Sequence, residues 1–172
     1  MIIYNQAFDL YHTIFRLLLF LERFDAGQVI EIERLRIWDF YLLFPNKVHS
    51  IRLKQNESEI RKLRRFIKKT KNPYEVISED RKVFERIKPY QLAAINCIAS
   101  YGIIDKSFLN QQRVSILNKE TLKELLSQCE EISDKERNVV SLMTSEFSRL
   151  SLFGIDGLKN RTKLMESRYD AE

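Results

Sequence analysis

Residues 30–45 read IEIERLRIWDFYLLFP. Ten of these sixteen positions are apolar, counting Pro45; the others are Glu31, Glu33, Arg34, Arg36, Asp39 and Tyr41. Val29, Ile30 and Ile32 are β-branched, so the stretch can open as a short strand. From about Glu33 the spacing is helical. Leu35, Trp38 and Leu42 fall on one line, with Ile37, Tyr41 and Phe44 beside it. Pro45 cannot continue a helix and biases Phe44 away from helical geometry, so the helix is expected to stop there. One line is enough for a core. Phe40 and Leu43 are then surplus, and the helix is either the centre of a core or a face waiting for a partner.

The segments around this stretch have the same character. Residues 7–24 predict a helix that is apolar around most of its circumference. Asp9, His12, Thr13 and Arg16 form one narrow polar stripe on it. A helix is predicted from Glu57 to Lys69, with Ile60, Leu63 and Ile67 on its apolar line and Phe66 alongside. SEDRKVFERI (78–87) predicts a short helix that Pro89 ends. PYQLAAINCIASYG (89–102) predicts a second one that Pro89 opens, with Leu92, Ile95, Ile98 and Ala99 inward and Gly102 past its end. RVSIL (113–117) alternates like a strand. Two more helices are expected, from Lys119 and from Asp134. Ser133 and Glu136 form a capping box for the second, whose inner line is Val139, Val140, Met143, Phe147 and Leu150.

Four glycines and three prolines in 172 residues argue against an all-β design. With 44% hydrophobic and 31% charged residues the chain is globular rather than disordered. A helix running through YGIID into a loop and a strand is the order found in the second half of a winged helix. The expected fold is therefore mainly α, a helical domain with a winged-helix-like core and a small β wing. One domain is expected over residues 1–153, with the break TKNPYEV allowing a subdivision near 72–78, and a C-terminal tail over 154–172.

Charge is concentrated rather than spread. Residues 51–71 carry nine cations, Arg52, Lys54, Arg61, Lys62, Arg64, Arg65, Lys68, Lys69 and Lys71, against Glu57 and Glu59. That is +7 in twenty-one residues, and since the whole chain carries +5, the other 151 residues sum to −2. The body is mildly acidic and the basic segment is the strongest functional signal. It suits contact with DNA or RNA phosphates, an acidic protein face, or plain solvation. With Phe66 assigned to the apolar side, no aromatic interleaves the cations, so contact with nucleic acid is expected at the backbone rather than the bases.

Several chemistries lack their residues. His12 and His49 are the only histidines, and neither has a second ligand at metal spacing. There is no glycine-rich phosphate loop, no Gly-x-Ser-x-Gly and no dinucleotide fingerprint. Neither catalysis nor a cofactor is expected, although a small enzyme with an unrecognised site stays open as a third reading. No stretch reaches eighteen apolar residues and no secretory signal is visible, so no membrane contact and a reducing cytoplasm are expected. Cys97 and Cys129 are then free thiols with apolar neighbours, expected to be buried.

Four blocks, AFDLYHTIFRLL, IEIERLRIWDFYLLFP, PYQLAAINCIASYGIID and GIDGLKNRTKLMESRYD, occur in order across nearly the whole chain. Together they resemble the middle component of bacterial ABC three-component systems, which include the Lamassu-type anti-phage systems. The resemblance implies a non-catalytic adaptor between an SMC- or Rad50-like ABC ATPase and an effector such as a nuclease, acting against phage or plasmid. It supplies no catalytic residue. The aromatic anchor Trp38, the surplus apolar side chains Phe40 and Leu43, and the cations of the last block, Lys159, Arg161 and Arg168, are then the expected partner interface. The alternative is a stand-alone winged-helix DNA-binding transcriptional regulator.

Overall fold

The computed structural model describes residues 5–70 and 79–166. Asn5 and Asp9 open the first elements. The Asn5 side chain accepts from the Ala7 amide at the start of a 3-10 turn, Gln6–Phe8. The Asp9 carboxylate then accepts from the His12 amide at 2.8 Å and caps helix α1, Leu10–Leu21. Strand β1, Val29–Glu31, leads directly into α2, Ile32–Leu43. A 3-10 turn, Pro45–Ser50, begins at Pro45, where the expected helix stop falls. Then come α3, Ser58–Arg64; α4, Asp80–Ser100; β2, Arg113–Ser115; α5, Lys119–Ser127; α6, Asp134–Ser145; and α7, Leu158–Thr162.

The chain is mainly α with a small β wing, as expected. The two strands of its sheet are far apart in sequence. β1 pairs antiparallel with β2, more than eighty residues later, in the register Val29–Ser115, Ile30–Val114 and Glu31–Arg113. An isolated bridge, Ile104–Ile116, adds one pairing on the other side of β2. Ile30 and Val114 are buried opposite each other and fix that register. Glu31, facing Arg113 across the ladder, also accepts from Arg34 Nε at 2.8 Å. Burial works to raise the Glu31 carboxyl, but Arg34 and Arg113 outweigh it and hold it below the usual range.

Two compact units form, and each takes chain from two places. Unit 1 is Met1–Asp39 with Ile87–Glu131, and unit 2 is Phe40–Arg86 with Ile132–Glu172. The divisions fall inside α2, inside α4 and between α5 and α6. The expected subdivision at 72–78 lies outside the described residues. Residues 154–166, expected to begin a tail, are folded into unit 2 through α7 and the buried side chains of Leu158 and Leu164.

This division explains the surplus in the 30–45 stretch. Trp38 belongs to unit 1, where it stacks on Phe24 with centroids 5.8 Å apart and tilts against Phe20 at 5.7 Å. Phe40 belongs to unit 2, where it meets Phe84 edge-on at 6.0 Å and also touches Tyr41 and Phe44. One helix thus supplies apolar side chains to two cores, so a single stripe could not account for it.

The expected helix stop at Pro89 is absent. α4 runs twenty-one residues with Pro89 inside it. A proline nine residues into a helix removes one backbone bond and crowds the preceding turn. Here the buried line Phe84, Ile87, Gln91, Ile95 and Ile98 continues at helical spacing on both sides of the exposed Pro89. Burial of that line holds the helix together where local propensity would break it. Of the cysteines, Cys97 is half-buried but Cys129 is exposed, because α5 ends at Ser127.

Candidate nucleic-acid interface

The basic segment does not form the long helix expected from 57 to 69. α3 ends at Arg64, and the chain then curls through three short-range bonds. Arg65 N–H donates to Lys62 O at 3.2 Å, Phe66 N–H to Leu63 O at 3.1 Å, and Ile67 N–H to Arg64 O at 3.1 Å. Ile60 and Ile67 are both buried and fix the two ends of the curl. A straight helix would have displayed its cations along one flat face. The curl instead folds them around an open cleft of about 460 Å³, lined by His49, Arg61, Arg64, Arg65, Ile67, Lys68 and Lys69.

The lining is partly pre-set and partly free. Arg61 donates to Gln55 O at 2.7 Å and to Lys54 O. Arg64 reaches His49 O and Ile51 O at 3.4 and 3.3 Å. His49 is oriented by Nε2 donating to Ile67 O at 2.7 Å. Arg65, Lys68 and Lys69 are exposed and make no side-chain hydrogen bond or ion pair among the described residues. No carboxylate is among the described residues that line the cleft. Burial pulls the Arg64 guanidinium below the usual arginine range, and the charge of Arg61 adds to the effect. An anion seated here would relieve that repulsion.

The other cations of the segment are engaged elsewhere. Lys62 pairs with Glu59 within α3 at 2.6 Å, and Lys54 pairs with Asp156 at 2.5 Å. Arg52 is exposed beside this second pair, where its charge helps to lower the Asp156 carboxyl behind the hydrogen bond from Lys54. Lys71 lies outside the described residues. The eight described candidates therefore separate into a converging group of five, Arg61, Arg64, Arg65, Lys68 and Lys69, and three that do not line the cleft. Sequence reasoning missed His49, whose position depends on the 3-10 turn before it. It also missed the surface role of Phe66, which is 68% exposed rather than packed on the apolar line.

The model of the ABC-three component (ABC-3C) system Middle Component 5 family matches residues 2–170. The chain belongs to that family. No curated protein and no solved structure matches it significantly. As a middle component, it has an adaptor role in a three-component system, which agrees with the resemblance carried by the four sequence blocks.

The remaining interface candidates of the middle component sit as follows. Trp38 and Phe40 are wholly buried, and Leu43 is half-buried. Arg161 is buried and spent within unit 2: it donates to Glu57 at 2.7 Å and to Asp156 O at 2.5 Å. Lys159 is buried with its ammonium 5.1 Å from the centre of the Phe153 ring. Arg168 lies outside the described residues. Among the described residues no helix is long and apolar enough to cross a membrane. Nor is there a group of three His, Cys, Asp or Glu among them that could hold a metal ion.

Proposed function

We propose that this middle component is a non-catalytic adaptor between an SMC- or Rad50-like ABC ATPase and an effector such as a nuclease in a bacterial defence complex. In this reading the cleft of unit 2 meets the nucleic-acid phosphate backbone that the complex engages. The observation that carries it is the convergence of five cations and His49 on one cleft with no acid among its described lining, in a chain whose other segments are mildly acidic. Phosphates neutralised there release condensed counterions, so retention on nucleic acid depends steeply on salt.

The test is to change Arg65, Lys68 and Lys69 to Glu together, since none of the three holds the fold by a side-chain bond among the described residues. The complex assembled with this variant should lose salt-sensitive retention on DNA. For the milder change to Ala, the log–log salt slope should become shallower by roughly 3. Unchanged retention overturns the phosphate reading in favour of an acidic protein partner. Co-expression with the neighbouring components tests the adaptor role: a middle component should co-purify with both an ATPase and an effector.

A second reading, a stand-alone winged-helix transcriptional regulator, draws support from unit 1. There α1, β1, the first part of α2, the second part of α4 and the β2 ladder follow winged-helix order. A regulator prefers one DNA sequence by a factor of roughly a thousand or more, whereas a backbone-binding adaptor does not.

A further inference from the structure

Phe66 lies in sequence between two residues that line the cleft and is not itself part of that lining. Arg65 and Ile67 both line the cleft, and the Phe66 side chain is 68% exposed. Its backbone is held on both sides: the amide donates to Leu63 O, and the carbonyl accepts from Asn138 Nδ2 at 3.4 Å. A single exposed phenyl ring is ordinary on a protein surface, but on a fixed backbone next to a cationic segment it is a preformed apolar surface that a ligand can cover. Purely electrostatic contact with a duplex backbone gives such a ring nothing to do. In a duplex the bases are paired and stacked, and a flanking aromatic cannot reach their faces.

We propose that the ligand of this cleft is single-stranded nucleic acid, with a phosphate held by the converging cations and the adjoining unpaired base stacked on Phe66. Grooves that combine cations tracking the backbone with an aromatic platform for a base are the general solution for binding single strands without sequence preference. The pieces here have the needed division of labour. Arg61 and Arg64 are braced on backbone carbonyls and pre-set one wall. Arg65, Lys68 and Lys69 are free to close on whatever phosphate arrives. Every base has a π-face, so the platform selects for an unpaired base and not for a sequence. The proposal rests on the reading of the cleft as a phosphate site, and names the strandedness that reading leaves open.

The experiment measures binding of the full chain to three labelled probes in moderate salt: an oligothymidylate, an oligouridylate of equal length, and a DNA duplex. A Phe66→Ala variant and a Phe66→Trp variant are compared with the parent. The only tryptophan of the parent, Trp38, is wholly buried, so quenching by nucleic acid in Phe66→Trp reports on position 66. The expected result is single strand bound more tightly than duplex, with Phe66→Ala weakening the single strand roughly tenfold and leaving the duplex unchanged. Phe66→Trp should keep the affinity, and its fluorescence should fall on binding. The two single-stranded probes decide between DNA and RNA as the natural source. Equal affinity for duplex and single strand, with no effect of Phe66→Ala, overturns the inference while the phosphate reading stands. No salt-sensitive binding to any probe overturns both.

Discussion

Arg16 Nε donates to Asp39 Oδ1 at 2.5 Å, with both side chains buried inside unit 1. The pair joins α1 to α2, and other groups complete it. Arg16 also donates to Thr13 Oγ1 at 3.0 Å and to Gln6 O at 3.0 Å. Gln91, from α4, donates to Asp39 Oδ2 at 2.8 Å and to Arg36 O at 3.1 Å, and accepts from Arg36 Nε at 3.0 Å. Charges removed from water persist only with this degree of satisfaction, because desolvation costs each ion several kcal/mol.

Replacing Arg16 by Met keeps much of its volume and leaves the Asp39 carboxylate buried without its cation. The expected loss is roughly 3–5 kcal/mol in chemical denaturation. Changing Asp39 to Leu in the same chain should recover a large part of it, since an apolar pair leaves no buried charge behind. If the double variant is no more stable than Arg16→Met alone, the cost lies in packing rather than in the stranded charge.

Glu57 gives unit 2 a dependence on acid. Burial works to raise its carboxyl, but the hydrogen bonds from Arg161 and from the Lys54 backbone, with the charges of both residues, outweigh it and hold the group below its ordinary value of 4.5. A carboxyl depressed in the folded state contributes stability that is complete above the unfolded value and is lost as pH falls through the folded one. The parent should therefore melt above Glu57→Gln at pH 7. The gap should narrow as pH drops below 4.5 and close once Glu57 is protonated in the folded state. A gap independent of pH would show that geometry, not charge, makes the contact with Arg161.

What was legible in the sequence was local. The capping box is one such case: Ser133 and Glu136 exchange both hydrogen bonds at the start of α6. Val139, Val140, Met143 and Phe147 all lie in the core, as their spacing requires. The first short strand follows from its β-branched residues and the second from its alternation, but nothing local says that Val29 will meet Ser115. The polar stripe of α1 was visible, yet its purpose depends on Asp39 and Gln91, each a lone polar residue in an apolar stretch. For the candidate site, composition located the cations but not their convergence. That depends on α3 ending at Arg64, and a helix end without a Gly or Pro gives no strong signal. The exposure of Phe66 follows from the same unannounced curl.

Pro89 offers a test of how far burial overrides propensity in α4. A proline here cannot donate to the Glu85 carbonyl, and its ring crowds the turn before it. Pro89→Ala restores the donor at an exposed position, although the unfolded chain gains some freedom in exchange. A net stabilisation of about 2 kcal/mol is expected, read as a higher melting temperature. A lower melting temperature would mean that the helix is adapted to the proline and that the ring itself makes contacts worth keeping.

Two glycines of the last sequence block should respond differently to the same change. Gly154 has φ of +87°, and an added Cβ would meet nothing within 4 Å. Gly154→Ala should therefore cost about 1 kcal/mol, the price of a left-handed backbone with a side chain. Gly157 has an ordinary φ of −72°, but a Cβ there would lie 2.1 Å from Phe153 O and 2.5 Å from Phe153 C. Those are backbone atoms and cannot swing aside. The Leu158 amide donates to Ser151 O at 2.8 Å and the Lys159 amide to Leu152 O at 3.2 Å, so the loop has no slack to absorb the clash. Gly157→Ala should cost roughly 4 kcal/mol or more, in the range reserved for severe strain. Its effect should also reach the basic segment. The same loop positions Asp156 against Lys54 and starts the helix that brings Arg161 to Glu57. Denaturation of the two variants side by side checks the order. Equal losses would mean that the loop around Phe153 yields, and that Gly157 is not required by close backbone approach.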